Sequence, residues 1–386
     1  LERLKVMTIF GTRPEAIKMA PLVKKLEETK EIESIVCVTA QHREMLDMVM
    51  DLFDIKADFD LNIMKHGQTI ADINISILKG LEKVFEASRP DIVLVHGDTS
   101  TTFIGALASF YQKIKIGHVE AGLRSGNIYS PYPEEMNRRL TGVLSNFHFA
   151  PTESNYKNLI NEGVAEDSIF ITGNTVIDAL LQVIKENYSF EIDLLNKLDY
   201  ENKRVIVMTC HRRENWGEPM ENIFKAIEEI AKKYRDVEIV YPIHMNPSIR
   251  TLANSILAGI DNIHLIEPLD YEPFANLLNK AYLIVTDSGG IQEEAPALGK
   301  PILVLREETE RPEAVEAGTV RVVGVNQEKI ASEIAELLEN KESYRKMANA
   351  VNPYGDGRAC ERIVQTLLHK YGYTAEKPQS FGVNRV

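Results

Sequence analysis

Short apolar runs recur along the chain at positions 6–10, 35–39, 92–96, 114–119, 147–150 and 169–172, and most are separated by stretches with helical spacing. An amphipathic stretch over 14–28 follows the first run once Gly11 has ended it. Runs such as Ile92-Val93-Leu94-Val95 are apolar at every position, which suits parallel strands buried on both faces. The pattern restarts at 205–208 and continues through 238–241, 264–266, 283–286 and 302–305. Strands alternating with helices predict α/β architecture with parallel sheets, and the restart predicts two doubly wound domains. The join is placed near residue 172, giving domains over 1–172 and 173–357. A last helix is expected over 358–370. Periodicity does not say which domain it joins, and the tail from Thr374 reads as frayed.

Composition narrows the function classes. The 386 residues fit two domains, and 44 Lys+Arg against 57 Asp+Glu give a net charge of −13. A nucleic-acid binder with a broad basic face is therefore disfavoured, and any anionic ligand must be held by local Arg, Lys and helix N-termini. No apolar run approaches the roughly 18–20 residues of a membrane helix, so no membrane partner is expected. The first residues, Leu1-Glu2-Arg3-Leu4-Lys5, lack the features of a signal peptide, so the expected location is cytoplasmic. Cys37, Cys210 and Cys360 show no CxxC spacing, which indicates neither a disulfide frame nor a metal site.

In open parallel sheets, ligands bind beyond the carboxyl ends of strands, so the residues following each run are the candidates. After the first come Gly11-Thr12-Arg13-Pro14-Glu15, with Lys18 beyond; Arg13 and Lys18 flank a helix N-terminus that already favours an anion. No GxGxxG or GxxxxGK[ST] fingerprint is present. Asp98, Glu120 and Glu134 follow later strands or open a helix. Asp98 and Glu134, each taken alone, also fit ordinary helix capping. Three carboxylates gathered beside an anionic ligand would raise one another's pKa, as general acid–base chemistry requires. In the second half, His211 follows a strand and is read as facing the cleft between the domains. A thiol nucleophile at Cys210 is disfavoured, because adjacent side chains after a strand diverge. Ser288-Gly289-Gly290 opens a helix whose amides can approach a phosphate, Glu294 is placed for ribose hydroxyls, and Arg311 adds a cation. Together these suggest a sugar-nucleotide site.

The segments Gly11-Thr12-Arg13-Pro14-Glu15 with Lys18, His96-Gly97-Asp98-Thr99, Val119-Glu120-Ala121-Gly122-Leu123-Arg124, Pro133-Glu134-Glu135 with Asn137-Arg138, His211-Arg212-Arg213-Glu214-Asn215, Thr286-Asp287-Ser288-Gly289-Gly290-Ile291-Gln292-Glu293-Glu294 and Thr309-Glu310-Arg311-Pro312-Glu313 occur in this order. The chain thereby resembles the non-hydrolysing UDP-N-acetylglucosamine 2-epimerases over nearly its whole length. The resemblance implies two Rossmann-like domains in a glycosyltransferase-B-like fold, an active site in the interdomain cleft, a homodimer, and a C-terminal segment (about 358–386) that returns to the first domain. It implies interconversion of UDP-GlcNAc and UDP-ManNAc, supplying ManNAc for cell-surface polysaccharide, with no nicotinamide cofactor and no metal. The route would be elimination of UDP to 2-acetamidoglucal, then re-addition.

By the same resemblance Asp98, Glu120, Glu134 and His211 are catalytic. Arg13, Lys18, His211, Ser288, Gly289, Gly290 and Arg311 hold the departing UDP, Phe274 and the Leu269 backbone meet uracil, and Glu294 takes the ribose. A second UDP-GlcNAc is expected as an allosteric activator at Gln41, His42, Gln68, Glu134, Arg212 and His244. Gly67 stands where the family often has Arg, which would weaken a diphosphate contact there. A UDP-sugar-dependent glycosyltransferase and a hydrolysing epimerase are the rival readings.

Overall fold

The computed structural model describes residues 2–40 and 43–382, and these fall into two compact units, one within Leu1–Gln182 and Gly355–Val386 and one comprising Val183–Tyr354. The division lies one helix past the join expected at 172. The intervening helix, Thr175–Val183, sits at the end of the first unit.

The first unit contains β1 (Leu4–Phe10), β2 (Ile32–Val38), β3 (Phe59–Asp60), β4 (Ile92–His96), β5 (Lys115–Val119), β6 (Phe147–Ala150) and β7 (Ile169–Ile171). They pair in the order β3-β2-β1-β4-β5-β6-β7, and every pair is parallel. The second unit contains β8 (Arg204–Thr209), β9 (Val237–Pro242), β10 (Ile263–Ile266), β11 (Leu283–Thr286), β12 (Ile302–Val304) and β13 (Val320–Val322), in the order β10-β9-β8-β11-β12-β13 and again parallel. The central strands are buried at nearly every position, as β4 is throughout, because helices cover both faces. In each sheet the strand order reverses once, between β1 and β4 and between β8 and β11. Chains leaving those neighbouring strands turn to opposite faces and leave a crevice at their carboxyl ends.

The helix Ala359–Lys370 belongs to the first unit and packs against the helix Arg13–Glu27. It buries Ala359, Cys360, Ile363, Val364 and Leu367, one face of a 3.6-residue repeat. Its free N-terminal amides are met by a residue far away in sequence: buried Asp178 accepts from Cys360 N–H (2.9 Å) and Ala359 N–H (3.2 Å). Arg362 reinforces the entry to this helix, pairing both guanidinium nitrogens with Asp356 and donating to the Thr172 carbonyl at 3.0 Å. The tail that reads as frayed is tied down at one point, where the Phe381 N–H donates to the Ile171 carbonyl (2.8 Å) at the edge of the sheet. No helix among the described residues is long and apolar enough to cross a membrane.

Replacing Asp178 by Ala leaves two helix-end amides buried without acceptors, so a loss of about 1–3 kcal/mol is expected. A thermal melt should fall by several degrees, and an unchanged midpoint would remove Asp178 as the cap.

Candidate active site

In the first unit, the loops after β1 and β4 flank the switch point. They approach closely: a Cβ at Gly11 would lie 2.8 Å from Thr101 Oγ1, beyond β4, and 1.8 Å from Thr39 Oγ1, beyond β2, so only glycine fits. The two loops are fastened together by Glu15, which is fully buried at the start of the helix Arg13–Glu27. Its Oε2 accepts from the Thr12 N–H (2.9 Å), the Thr12 hydroxyl (2.8 Å) and the Gly11 N–H (3.2 Å). Its Oε1 accepts from the hydroxyls of Thr99 (2.7 Å) and Thr102 (3.2 Å), beyond β4. Burial pushes the Glu15 carboxyl above its ordinary range, and these donors oppose the shift. Behind the same loop, the His118 ring Nε2 lies 2.7 Å from the Gly97 carbonyl, and burial drives its pKa down to about 3, so the ring is neutral.

This scaffold presents Asp98 and Glu120. Glu120 follows β5 with φ of +61°, a left-handed conformation that costs a non-glycine residue about 1–2 kcal/mol. The geometry turns its carboxylate onto Lys18 Nζ, with which it forms an ion pair, and onto the Asn174 amide at 3.0 Å. His96 Nε2 stands 3.6 Å away, too far for a hydrogen bond but close enough to act as a neighbouring charge when protonated. Burial raises the Glu120 pKa, yet Lys18 and His96 outweigh it and hold the carboxyl well below its usual range. Asp98 pairs with Arg138 Nη2, while its carbonyl accepts from the Asn137 amide at 2.9 Å. Here burial wins: with the Glu120 charge adding to it, the Asp98 pKa is raised despite Arg138. Neighbouring carboxyls thus part company here, because Glu120 has the half-buried Lys18 as a direct counter-charge. Glu134 opens the helix Glu134–Leu144, whose next turn carries Asn137 and Arg138 to Asp98. Arg13 sits half-buried in the first turn of its own helix.

The second unit repeats the plan. Buried Asp287, after β11, accepts on Oδ2 from the backbone N–H groups of His211 and Arg212 (both 2.8 Å) and from the Asn215 amide (3.1 Å), thereby tying the loop after β8 to its neighbour. The His211 ring stacks on His244, with centroids 5.8 Å apart and planes 15° from parallel. Ser288 precedes the short helix Gly289–Glu294, and its N–H donates to Thr286 Oγ1 at 2.9 Å. A Cβ on Gly289 would stand 3.4 Å from Arg212 Nη2, which places that guanidinium over the glycine pair. Glu294 accepts from the Tyr271 hydroxyl at 3.4 Å, and Phe274 and Leu269 pack on the apolar core beneath. Arg311 is ion-paired with Glu293, so an anion at this position must compete with that carboxylate.

Sequence-predicted residues are thus gathered in two sets: Lys18, Asp98 and Glu120 in the first unit, and His211, Arg212, His244, Ser288, Gly289 and Gly290 in the second. Gln68 lies apart on the loop before the helix Ile70–Ser88, its Oε1 accepting from the Lys65 N–H at 2.7 Å next to Gly67. Gln41 and His42 lie outside the described residues. Asn174 went unmarked in the sequence, and Glu15, Asn137, Arg138 and Asp287 were visible only as parts of motifs without roles. The one signal for Asp287 and Glu15 was their position directly after or within a strand-end loop.

Two doubly wound domains, each with its polar side chains collected at the switch point, define the protein as a two-domain α/β enzyme of the GT-B-like class. A family model described as UDP-N-acetylglucosamine 2-epimerase matches residues 24–368, and the chain belongs to that family. It is 55% identical over 381 residues to the UDP-N-acetylglucosamine 2-epimerase of Bacillus subtilis (strain 168), covering 99% of each chain. Among solved structures, it is similar to the UDP-GlcNAc 2-epimerase of Neisseria meningitidis bound to UDP-GlcNAc, with 54% identity and a TM-score of 0.82 over 95% of this chain and all of that one. The Methanocaldococcus jannaschii enzyme in complex with UDP-GlcNAc and UDP matches at 37% identity and a TM-score of 0.73, over 95% and 100% of the two chains.

Because Glu120 is held below the pKa it has in the unfolded chain, it stabilises the fold above the ordinary carboxylate range, and that contribution is lost as pH falls through its depressed value. In a Lys18→Met variant the depression should largely vanish. The rise of melting temperature with pH across the acid range should then be shallower than in the parent protein. Identical acid limbs in the two proteins would show that Lys18 does not set the charge of Glu120.

Proposed function

We propose that this chain interconverts UDP-N-acetylglucosamine and UDP-N-acetylmannosamine by eliminating UDP and adding it back. The observation that carries the reading is the pair of neighbouring carboxyls with opposed protonation preferences, Asp98 raised and Glu120 lowered. Such opposition is how a single site supplies both a proton carrier and a fixed negative charge. The C2–H bond of the sugar is not acidified by a carbonyl, so its proton can leave only as the C1–O bond to UDP breaks. The C–H electrons become the C1=C2 bond of 2-acetamidoglucal, and positive charge grows on the ring on the way. In this reading Asp98 is the carboxyl that changes protonation, Glu120 remains ionised and faces the ring charge, and Glu134 supports exchange on the other face of C2. Re-addition of UDP with the proton on the opposite face gives the epimer.

The second set of residues suits the leaving group. His211, Arg311 and the amides after Ser288 are the groups of the second unit suited to a diphosphate, and Arg13 and Lys18 are the corresponding cations of the first. Retaining UDP beside the glucal keeps recombination effectively intramolecular, which distinguishes this reaction from hydrolysis. Phe274, Leu269 and Glu294 take the uridine. The bound UDP-GlcNAc of the Neisseria relative supports this substrate class. The carboxylate pair favours epimerisation over glycosyl transfer, which needs an acceptor groove instead of a C2 base.

We extend the proposal to regulation and assembly. The stacking of His244 on His211, with Arg212 between Asp287 and the glycine pair, supports a second nucleotide-sugar bound next to the reacting one. A homodimer is favoured by exposed apolar side chains on mutually packed helices of the first unit, Phe110 and Tyr111 on Ser100–Tyr111 and Val143 on Glu134–Leu144. The product would supply ManNAc for a cell-surface polysaccharide.

Incubation with UDP-GlcNAc in D2O should yield UDP-ManNAc carrying deuterium at C2, with no accumulation of UDP and free sugar. Product without label at C2, or free ManNAc as the main product, overturns the route. Starting from UDP-ManNAc alone, progress curves should show a lag that a trace of UDP-GlcNAc abolishes. Linear initial rates insensitive to that addition would rule out activation.

A further inference from the structure

Asp287 does more than staple a loop. Its Oδ2 is fully used by the His211 and Arg212 backbone N–H groups and the Asn215 amide. Its Oδ1 is buried without a well-aligned hydrogen bond, and the His211 ring Nδ1 stands 3.2 Å from it. A carboxylate oxygen held in the interior needs a donor, and a neutral imidazole can supply one only from the nitrogen that carries its proton. The backbone contacts fix the carboxylate, so the ring must adapt to it.

We infer that Asp287 is a positioning residue for His211: it fixes the imidazole as the Nδ1–H tautomer and leaves Nε2 as the ring nitrogen that takes up a proton and, once protonated, donates to the departing diphosphate. The inference rests on the assignment of His211 to the nucleotide-sugar site. The groups facing His211 agree with a neutral ring. Burial lowers its pKa, Asp287 opposes this, and both the stacked His244 and Arg212 lower it further. Behind Asp287 lie the Cys210 thiol, which burial and the aspartate charge push well up, and Tyr241, whose hydroxyl donates to the Cys210 carbonyl at 2.9 Å. Both therefore stay protonated near neutral pH. The thiol is a rival donor to this aspartate, and it can be removed separately. A tautomer fixed in this way matters because Nε2 can then accept a proton, or donate once it has gained one, without the ring turning over.

An Asp287→Asn variant can still receive the loop amides on its side-chain oxygen, but its NH2 group then faces His211 Nδ1 and forces the opposite tautomer. Its kcat should fall on the order of 10²–10⁴-fold with KM for UDP-GlcNAc changed less than about threefold. In 15N-histidine spectra, with His211 identified by its absence in His211→Gln, the parent enzyme should show Nδ1 protonated and Nε2 bare. Asp287→Asn should show the reverse, with the His211 titration moved to lower pH. A Cys210→Ala control should alter neither the tautomer nor kcat. A merely structural Asp287 would lower the melting temperature or raise KM while leaving the tautomer unchanged, and that result overturns the inference. So does a folded Asp287→Asn variant with kcat within about threefold of the parent. If the variant does not fold, the parent spectrum decides alone, because His211 protonated on Nε2 in the native enzyme also overturns the pairing. Full turnover by His211→Gln would instead overturn the assignment of His211 to the site.

Discussion

A carboxylate removed from water either finds several hydrogen-bond donors or gives up its charge, and both sheets of this protein are organised around one such group. Glu15 in the first unit and Asp287 in the second are buried at the ends of their strands; Glu15 accepts from the loops after β1 and β4, and Asp287, itself after β11, accepts from the loop after β8. Most of the donors are amides and hydroxyls of the loops themselves. A loop cannot shift without leaving the carboxylate short of donors, so the strand-end positions are stiff where a parallel sheet would otherwise leave flexible connections. The crevice geometry that the strand order creates becomes, through these two residues, a fixed arrangement of side chains.

The same accounting governs the cations. The chain carries a net charge of −13, yet its candidate site concentrates Arg and Lys. Several of these cations are already opposed by an acid of their own unit: Lys18 by Glu120, Arg138 by Asp98 and Glu135, and Arg311 by Glu293. Pairing keeps buried guanidinium and ammonium groups tolerable in the absence of ligand. It also means that an anionic ligand gains only the difference between its own contacts and those it displaces. Affinity is tempered in this way, which suits a group that must be held during one step and released after the next.

Electrostatic context also separates chemically identical groups. Asp98 and Glu120 are both partly buried carboxyls beside a cation, and their charges feel one another. The outcome differs because Glu120 meets Lys18, His96 and Asn174 together, whereas Asp98 has Arg138 with a smaller pull from Lys18, and burial and the Glu120 charge against it. Arg138 is itself divided between Asp98 and Glu135, which weakens its hold on either.

The central strands were legible because a parallel strand covered on both faces is apolar without interruption, as in Ile92-Val93-Leu94-Val95, and no helix needs such a run. The edge strands β3, of two residues, and β13, of three, escaped notice because a short edge has too little buried surface to impose a pattern. Candidate acids and cations were legible for a similar reason: a charged residue directly after an apolar strand stands at a sheet's carboxyl end. The roles of those residues were not, since pairing joins positions far apart in sequence, such as Lys18 with Glu120, Asn174 with Glu120, and Asp178 with the helix at Ala359. By itself the sequence determined the α/β class, the two sheets and the list of chemically capable residues, all of which follow from local spacing and hydrophobicity. Only the tertiary structure decided which carboxyl is held ionised, which is pushed toward its protonated form, and to which unit the last helix returns, because each depends on desolvation and partners that exist only once distant segments have met.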